Sequence, residues 1–178
     1  MSDYKIVEPQ IGAPSPASAT ATVQQWPLGY VARGEDFATG SARLGDGLFQ
    51  YCVGASAGQP QSRGQMVQIR GYSAALLGTV NRLSNFPVGL AAGAISASNV
   101  YGWVQVKGLA DYAKCSNHDI AVGASAFAAS TTGLIATTQG ATGAALYGIA
   151  FPVSLTSTQS QSVTLDLNFP TLGPSSAL

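Results

Sequence analysis

The stretch Tyr101-Gly-Trp-Val-Gln-Val-Lys-Gly108 is the clearest strand signal in the chain. Two aromatic residues occupy alternate positions and two valines follow at alternate positions, and this period of two is typical of a β-strand. The odd-numbered residues from Tyr101 to Lys107 are therefore expected on one face, and Val104 and Val106 on the other. A strand of this kind needs partners on both sides, and the flanking sequence supplies them.

Short segments on either side of this stretch also have the composition of strands. They contain Val, Ile, Leu, Phe or Tyr among small residues, and Gly, Ser, Thr or Pro residues bound them. The segments are 26–31, 47–53, 65–70, 121–129, 133–138, 144–153 and 162–169. In the last of these, Val163, Leu165 and Leu167 are predicted to share one face.

Ser73–Leu83 is the one predicted helix, because Ser73 can cap it and its apolar residues recur near one side. Many short strands with at most one short helix predict an all-β domain. A small barrel, a tulip-like sheet and a sandwich such as a jelly roll all fit these strands, and the sequence leaves the choice among them open.

The first 25 residues have a different character. The segment 11–22 carries two prolines and many small residues, which favour extended backbone with few hydrogen bonds. It is either a disordered tail or an arm that orders on a neighbouring subunit, since Ile6, Val7 and Ile11 give an arm something to bury. The predicted organisation is an extended N-terminal arm over 1–25, a β domain over 26–170 and a C-terminal tail over 171–178.

The charge content points to an assembly. Charged residues make up 9% of the chain and the formal net charge is zero, whereas average soluble proteins carry about 25% charged residues. No charged residue occurs from Ile120 to Leu165. Because a neutral, weakly charged surface favours association, the composition suits a subunit that works inside a larger particle.

Several classes of partner are not expected. The basic residues are scattered, whereas a nucleic-acid-binding protein clusters them to neutralise phosphates. The N-terminus lacks the apolar segment of a signal peptide, and no stretch has the length and hydropathy of a membrane span. Cys52 and Cys115 are expected to be buried thiols rather than a disulfide, because a protein made in the cytosol stays reduced.

One motif raises the question of catalysis. Gly54-Ala-Ser-Ala-Gly58 matches the G-x-S-x-G pattern of hydrolase nucleophile elbows, and Asp111 and His118 follow in the order of a catalytic triad. The elbow requires a strand, a sharp turn and then a helix, but the sequence Gln59-Pro-Gln-Ser-Arg-Gly64 does not predict a helix. The chain is therefore not expected to be an enzyme.

Two further constellations were weighed as ligand sites. Cys115, His118 and Asp119 lie within five positions, but no second Cys or His cluster completes a metal site, so no metal or cofactor is expected. Tyr101 and Trp103 share a face on which a sugar could stack. Packing in the core or at a subunit interface is the favoured interpretation of this pair.

Three stretches carry a resemblance to a known family. Gly45-Asp-Gly-Leu-Phe-Gln-Tyr-Cys-Val-Gly-Ala-Ser-Ala-Gly58 is similar to a family strand that leads into a small-residue turn. Val88–Ala110 is the most specific stretch, with a strand, a small polar turn and an aromatic-Gly-Trp strand that ends in Gly. Ile120–Ile135 is similar to the segment that follows. From Tyr51 to Asn168, about two thirds of its 178 residues, the chain resembles the head decoration (cement) proteins of tailed bacteriophages.

The resemblance implies a function, partners and a location. Members of this family are compact β domains, commonly trimers, seated at three-fold positions between capsid hexamers. The chain is thus expected to be a structural virion protein, made in the host cytoplasm, that binds the major capsid protein on the outside of the head. The alternative is a virion surface or tail component that binds host carbohydrate. Candidate contacts with the shell or with another subunit are Ile6, Val7, Ile11, Trp26 and Tyr30.

Overall fold

The computed structural model describes residues 4–7, 15–16, 20–36, 44–77, 86–116, 119–129, 133–137, 144–156 and 162–175. Every regular element within them is a β-strand, which confirms the predicted all-β class. The strands are β1 Tyr4–Ile6, β2 Val31–Asp36, β3 Asp46–Gly54, β4 Met66–Arg70, β5 Ser73–Leu76, β6 Val88–Ala91, β7 Tyr101–Lys114, β8 Asp119–Ile120, β9 Ala126–Ala128, β10 Ile135–Ala136, β11 Ala144–Ala150, β12 Leu155–Thr156 and β13 Ser162–Ser175.

One sheet of eleven strands contains most of these elements, in the order β1-β2-β3-β5-β4-β6-β7-β13-β11-β9-β10, and β8 pairs separately with β12. The long strand β7 is its centre, because it pairs with β3, β6 and β13. The stretch Tyr101–Gly108 therefore organises the sheet, and it continues as a strand to Lys114.

The first half of β7 closes a ring of five strands. β3 pairs with β5 in parallel, β5 with β4, β4 with β6, β6 with β7, and β7 returns to β3. Val104 and Val106 of β7 pack with Cys52 of β3 in the cluster enclosed by these strands. The predicted alternation of β7 is confirmed, since Trp103 lies in a different cluster on the opposite face.

The second half of β7 closes another ring. β7 pairs with β13, β13 with β11, β11 with β9 and β9 with β10, and a bridge between Ile135 of β10 and Cys115 returns to the end of β7. The largest buried cluster fills this ring, and Val163, Leu165 and Leu167 contribute to it with at most 4% of each side chain exposed. Their predicted common face is confirmed.

A buried polar contact holds the junction of the two rings. Gln105 is fully buried; it accepts a hydrogen bond of 2.5 Å from the Tyr112 hydroxyl and donates one of 2.9 Å to the carbonyl oxygen of Leu109. Between these residues Gly108 has a φ of +93°, and a Cβ there would lie 2.4 Å from the carbonyl oxygen of Asp46. Only glycine fits this close approach, which lets one strand serve both rings.

The predicted helix over Ser73–Leu83 is wrong for the part that the structure describes. Ser73–Leu76 is strand β5, and residues 78–83 lie outside the described residues. A tight turn with Gly71 at φ +60° joins β4 to β5, and Arg70 pairs directly with Ser73. This local hairpin, together with the parallel partner β3, supplies two sets of backbone hydrogen bonds and overrides the weak helical spacing.

Other strand boundaries also differ from those that the sequence predicts. Trp26–Tyr30 forms a turn, in which the Tyr30 N–H donates to the carbonyl oxygen of Pro27 at 3.1 Å, and β2 begins only at Val31. The segment 121–129 opens with a turn, so its strand is reduced to Ala126–Ala128. β13 continues to Ser175, five residues beyond the predicted end of the β domain at 170.

Candidate functional site

A cluster of aromatic residues covers the outer face of β3 and β7. Trp103 lies at its centre, with ring centroids 5.0 Å from Tyr51 and 6.0 Å from Trp26, while Trp26 stacks on Tyr30 at 5.9 Å. Trp103 is only 1% exposed, so its ring is part of the core and presents no face to a sugar. Packing, the favoured interpretation of the Tyr101 and Trp103 pair, is confirmed for Trp103.

The described part of the predicted arm packs on the chain's own domain. β1 pairs antiparallel with β2, and the Tyr4 hydroxyl donates a hydrogen bond of 2.7 Å to the carbonyl oxygen of Leu109. Ile6 is 4% exposed and belongs to the aromatic cluster. Further along, Ala21 forms a bridge with Tyr101 on the edge of the sheet.

The five candidate contact residues therefore have different environments. Ile6 is buried within this chain, whereas Val7, Trp26 and Tyr30 are partly exposed. Ile11 lies outside the described residues. Of the five, Val7, Trp26 and Tyr30 retain surface that a partner can reach, and the last two stack together against Trp103.

The Gly54–Gly58 motif does not have the scaffold of a nucleophile elbow. β3 ends at Gly54, and the residues from 55 to 65 form bends and turns without a helix, as the sequence predicts. Ser56 is exposed and lines a pocket of about 260 Å³ with Arg70 and Ser73. Asp111 does not line this pocket, and His118 lies outside the described residues.

The cysteines are buried in different places. Cys52 lies in the cluster of the first ring and Cys115 in that of the second, and they form no disulfide, as expected. Burial raises the pKa of the Cys52 thiol to about 12. Within the described residues no group of three or more potential metal ligands occurs, and His118, the centre of the weighed metal site, is not among them.

Several exposed apolar side chains lie on the strands of the second ring and on the turns next to them. Four large side chains project there: Tyr147 of β11 is 57% exposed, Phe169 of β13 54%, and Val122 and Val153 in the adjoining turns 63% and 59%. A hydrogen bond of 3.0 Å from the Gly123 N–H to the carbonyl oxygen of Phe151 holds the two turns together. We call these four residues the apolar face.

A shallow groove lies beside Tyr147, the one of these four side chains that lines it. Its volume is about 300 Å³, and it is lined by residues 123–127, the last two of which belong to β9, and by residues 145–150 of β11. Every residue of this lining falls in the uncharged stretch from Ile120 to Leu165. The groove therefore offers contact area without any charge that binding would have to desolvate.

A β-bulge shapes the apolar face. The register between β11 and β13 shifts between Tyr147 and Ile149, where Gly148 has a φ of +74°. Three residues of β13, from Asn168 to Pro170, lie opposite this single glycine, so the bulge is on β13, and within it Phe169 has a φ of +47°, the one positive value for a non-glycine residue in the described part of the chain. The Lys107 ammonium lies 5.7 Å from the centre of the Phe169 ring.

The sequence signals only part of this surface. The absence of charge between Ile120 and Leu165 marks the region, and the alternation of β11 separates buried Leu146 from exposed Tyr147. Phe169 carries no such signal, because its exposure depends on a bulge that forms only when β11 and β13 pair.

The described residues include no helix with the length and hydropathy to cross a membrane. Comparison of the chain with protein-family models, with curated proteins and with solved structures finds no match.

Proposed function

We propose that this chain is a capsid decoration (cement) protein that binds the outer surface of a tailed-phage head and stabilises the shell at capsomer junctions. The observation that carries the assembly part of the proposal is the apolar face, because exposed apolar side chains on small proteins mark sites of protein association when they lie together. Its partners are the major capsid protein and further copies of itself, as a homotrimer on the exterior of the virion.

The resemblance supplies the capsid as the partner. Its most specific stretch, Val88–Ala110, was expected as a strand, a polar turn and a strand that ends in glycine. In the structure β6 and β7 pair antiparallel across a connection over residues 92–100, and Gly108 bends the second strand. The strand, the turn and the second strand are present, although β7 continues through Gly108 to Lys114 instead of ending there, and this arrangement supports the proposal.

The two fused rings suit a clamp. Each ring has its own buried cluster, and the buried contact of Gln105 with Tyr112 ties them together. A domain of this kind holds its surfaces in fixed relation. A particle that touches several shell subunits gains affinity from linked contacts, each of which can be modest.

Co-sedimentation with heads tests this proposal. Purified protein is mixed with expanded heads of the parent phage that lack it, and the bound fraction is measured against protein concentration. Saturable binding, together with heads that release their DNA at a higher temperature, is the expected result. A stable monomer with no affinity for expanded heads overturns the proposal.

A matched surface probe sharpens this test. Labelling Cys52 and Cys115 is unsuitable because both thiols are buried, so a single cysteine is introduced at exposed Val23 and labelled with a fluorophore. Bound label should saturate at a fixed number of copies per head. Labelled protein that pellets without saturation would indicate nonspecific adsorption and count against a decoration role.

A further inference from the structure

We infer that the apolar face is the surface through which copies of this chain bind one another. The inference rests on the proposed function, since it assigns one partner of the assembly to one surface. It adds the residues that make the contact, with Tyr147 and Phe169 as the anchoring side chains.

The chemistry of the apolar face suits a protein interface. Tyr147 and Phe169 are exposed on paired strands, and Val122 and Val153 are exposed in the adjoining turns. Aromatic side chains at the centre of an interface contribute much of its affinity, because they bury a large area and lose little rotamer freedom. The groove between β9 and β11 provides a recess that a side chain of another copy can fill.

The backbone at Phe169 is a second, independent observation. A positive φ is unfavourable for a bulky residue, and such strain persists where the surroundings enforce it and commonly serves a site. Here Phe169 lies within the bulge of β13 opposite Gly148, and its ring is 54% exposed. Burial of that ring against another molecule explains why a phenylalanine, rather than glycine or asparagine, occupies the position.

The charges at the border of the apolar face indicate that the molecule that binds it is a second copy of this chain. Exposed Lys107 borders it beside Phe169, and exposed Asp166 borders it opposite Ala150 of β11. One charge of each sign around an uncharged centre is complementary to a second copy, which offers the same set. A strongly acidic or basic partner surface would match only one of the two and repel the other.

Sedimentation velocity over a range of protein concentrations tests the inference with a matched pair of variants. Tyr147→Glu places a charge in the centre of the apolar face, and Tyr72→Glu places one at a tyrosine of similar exposure, 53% against 57%, in the turn between β4 and β5. Wild type and Tyr72→Glu should form the same oligomer. Tyr147→Glu should weaken association by about tenfold or more.

A second variant separates association from folding. Phe169→Asn removes the aromatic ring and introduces a residue that adopts positive φ readily. It should therefore unfold no more easily than wild type in urea, yet associate as weakly as Tyr147→Glu. The inference is overturned if both variants associate like wild type, or if wild type is a monomer throughout.

Binding to phage heads distinguishes failure of this inference from failure of the proposed function. If Tyr147→Glu stays oligomeric but no longer co-sediments with heads, the apolar face contacts the shell and the inference is wrong, while the decoration role stands. If the variants dissociate but wild-type oligomers ignore heads, the inference stands and the decoration role is wrong.

Discussion

Gly108 lies where β7 passes from the first ring to the second. Its φ of +93° and the 2.4 Å between an added Cβ and the carbonyl oxygen of Asp46 allow no side chain without movement of the backbone. We expect Gly108→Ala to lower the free energy of unfolding by about 3 kcal/mol or more, since strain and a backbone clash add.

Gly71→Ala is the control for this prediction. Gly71 also has a positive φ, but nothing lies within 4 Å of an added Cβ. In that variant the free energy of unfolding should fall by about 1–2 kcal/mol, the cost of a positive φ for alanine alone. Urea unfolding followed by tryptophan fluorescence measures both. Equal losses would show that the contact with Asp46 does not constrain the junction.

Cys52 makes stability depend on pH. Burial raises its pKa in the folded state from 9.0 to about 12, and no charged neighbour contributes to the shift. Above pH 9 the unfolded chain releases the thiol proton while the folded chain retains it, so the unfolded state is favoured. The contribution is complete below pH 9 and is lost as pH rises toward 12.

The slope of the free energy of unfolding against pH, compared between wild type and Cys52→Ala, measures this contribution. Between pH 9 and 11 wild type should lose up to about 1.4 kcal/mol per pH unit more than Cys52→Ala. The comparison cancels the titration of the other buried groups, because Tyr4 and Tyr112, whose pKa values burial also raises, are present in both proteins. Parallel curves for the two proteins would show that the Cys52 site admits the thiolate.

At the scale of the element, β1 connects the predicted arm to the fold. Ile6 packs on the aromatic cluster, and its neighbours include Phe49, whose ring contacts Tyr4 at 5.2 Å between centroids. We expect Ile6→Ala to lower the free energy of unfolding by about 2–4 kcal/mol, the usual range for truncation of a buried aliphatic side chain.

The control is Val23→Ala, in a segment that also follows the N-terminus but with a side chain 72% exposed. It should change the free energy of unfolding by less than about 0.5 kcal/mol. If Ile6→Ala changes the free energy of unfolding of the isolated chain as little as Val23→Ala does, but destabilises the oligomer, then β1 packs on a neighbouring copy instead of on its own β2.

The strands show how far sequence reasoning reaches. The alternation of residue types predicted β3, β4, β7 and β13, because each strand buries one face and the sequence therefore repeats with a period of two. It failed at β5, since four small and apolar residues carry no period and only the turn at Gly71 and the partners on both sides define the strand. Pairing is nonlocal, and composition does not encode it.

At the scale of the whole molecule, the same limit applies to the rings and the surface. The composition predicts an assembly subunit, and the uncharged stretch contains Val122, Tyr147 and Val153 of the apolar face but not Phe169. That β7 is shared by two rings depends on one glycine and on pairings between residues as distant as Cys52 and Gly102. Which apolar side chains remain exposed follows from those pairings, so Phe169 could not be identified beforehand.

Two forces could drive association of the whole chain. Residues 47–110 contain four of the eight basic residues and none of the eight acidic ones, so opposite charges are unevenly distributed along the chain. Association through those charges would weaken with salt, because exposed ion pairs are screened within about 8 Å at physiological ionic strength. Association through the apolar face would not, since no charge lies in its centre.

We therefore expect the dissociation constant of the oligomer to change less than about threefold between 0.05 and 0.5 M NaCl, and to fall in ammonium sulfate, which strengthens apolar burial. Sedimentation equilibrium at each salt concentration measures it, and Tyr147→Glu reports whether the remaining association uses the same surface. A tenfold weakening in NaCl would assign the contact to ion pairs. In that case the charged segment over 47–110, rather than the face around Tyr147 and Phe169, would hold the copies together.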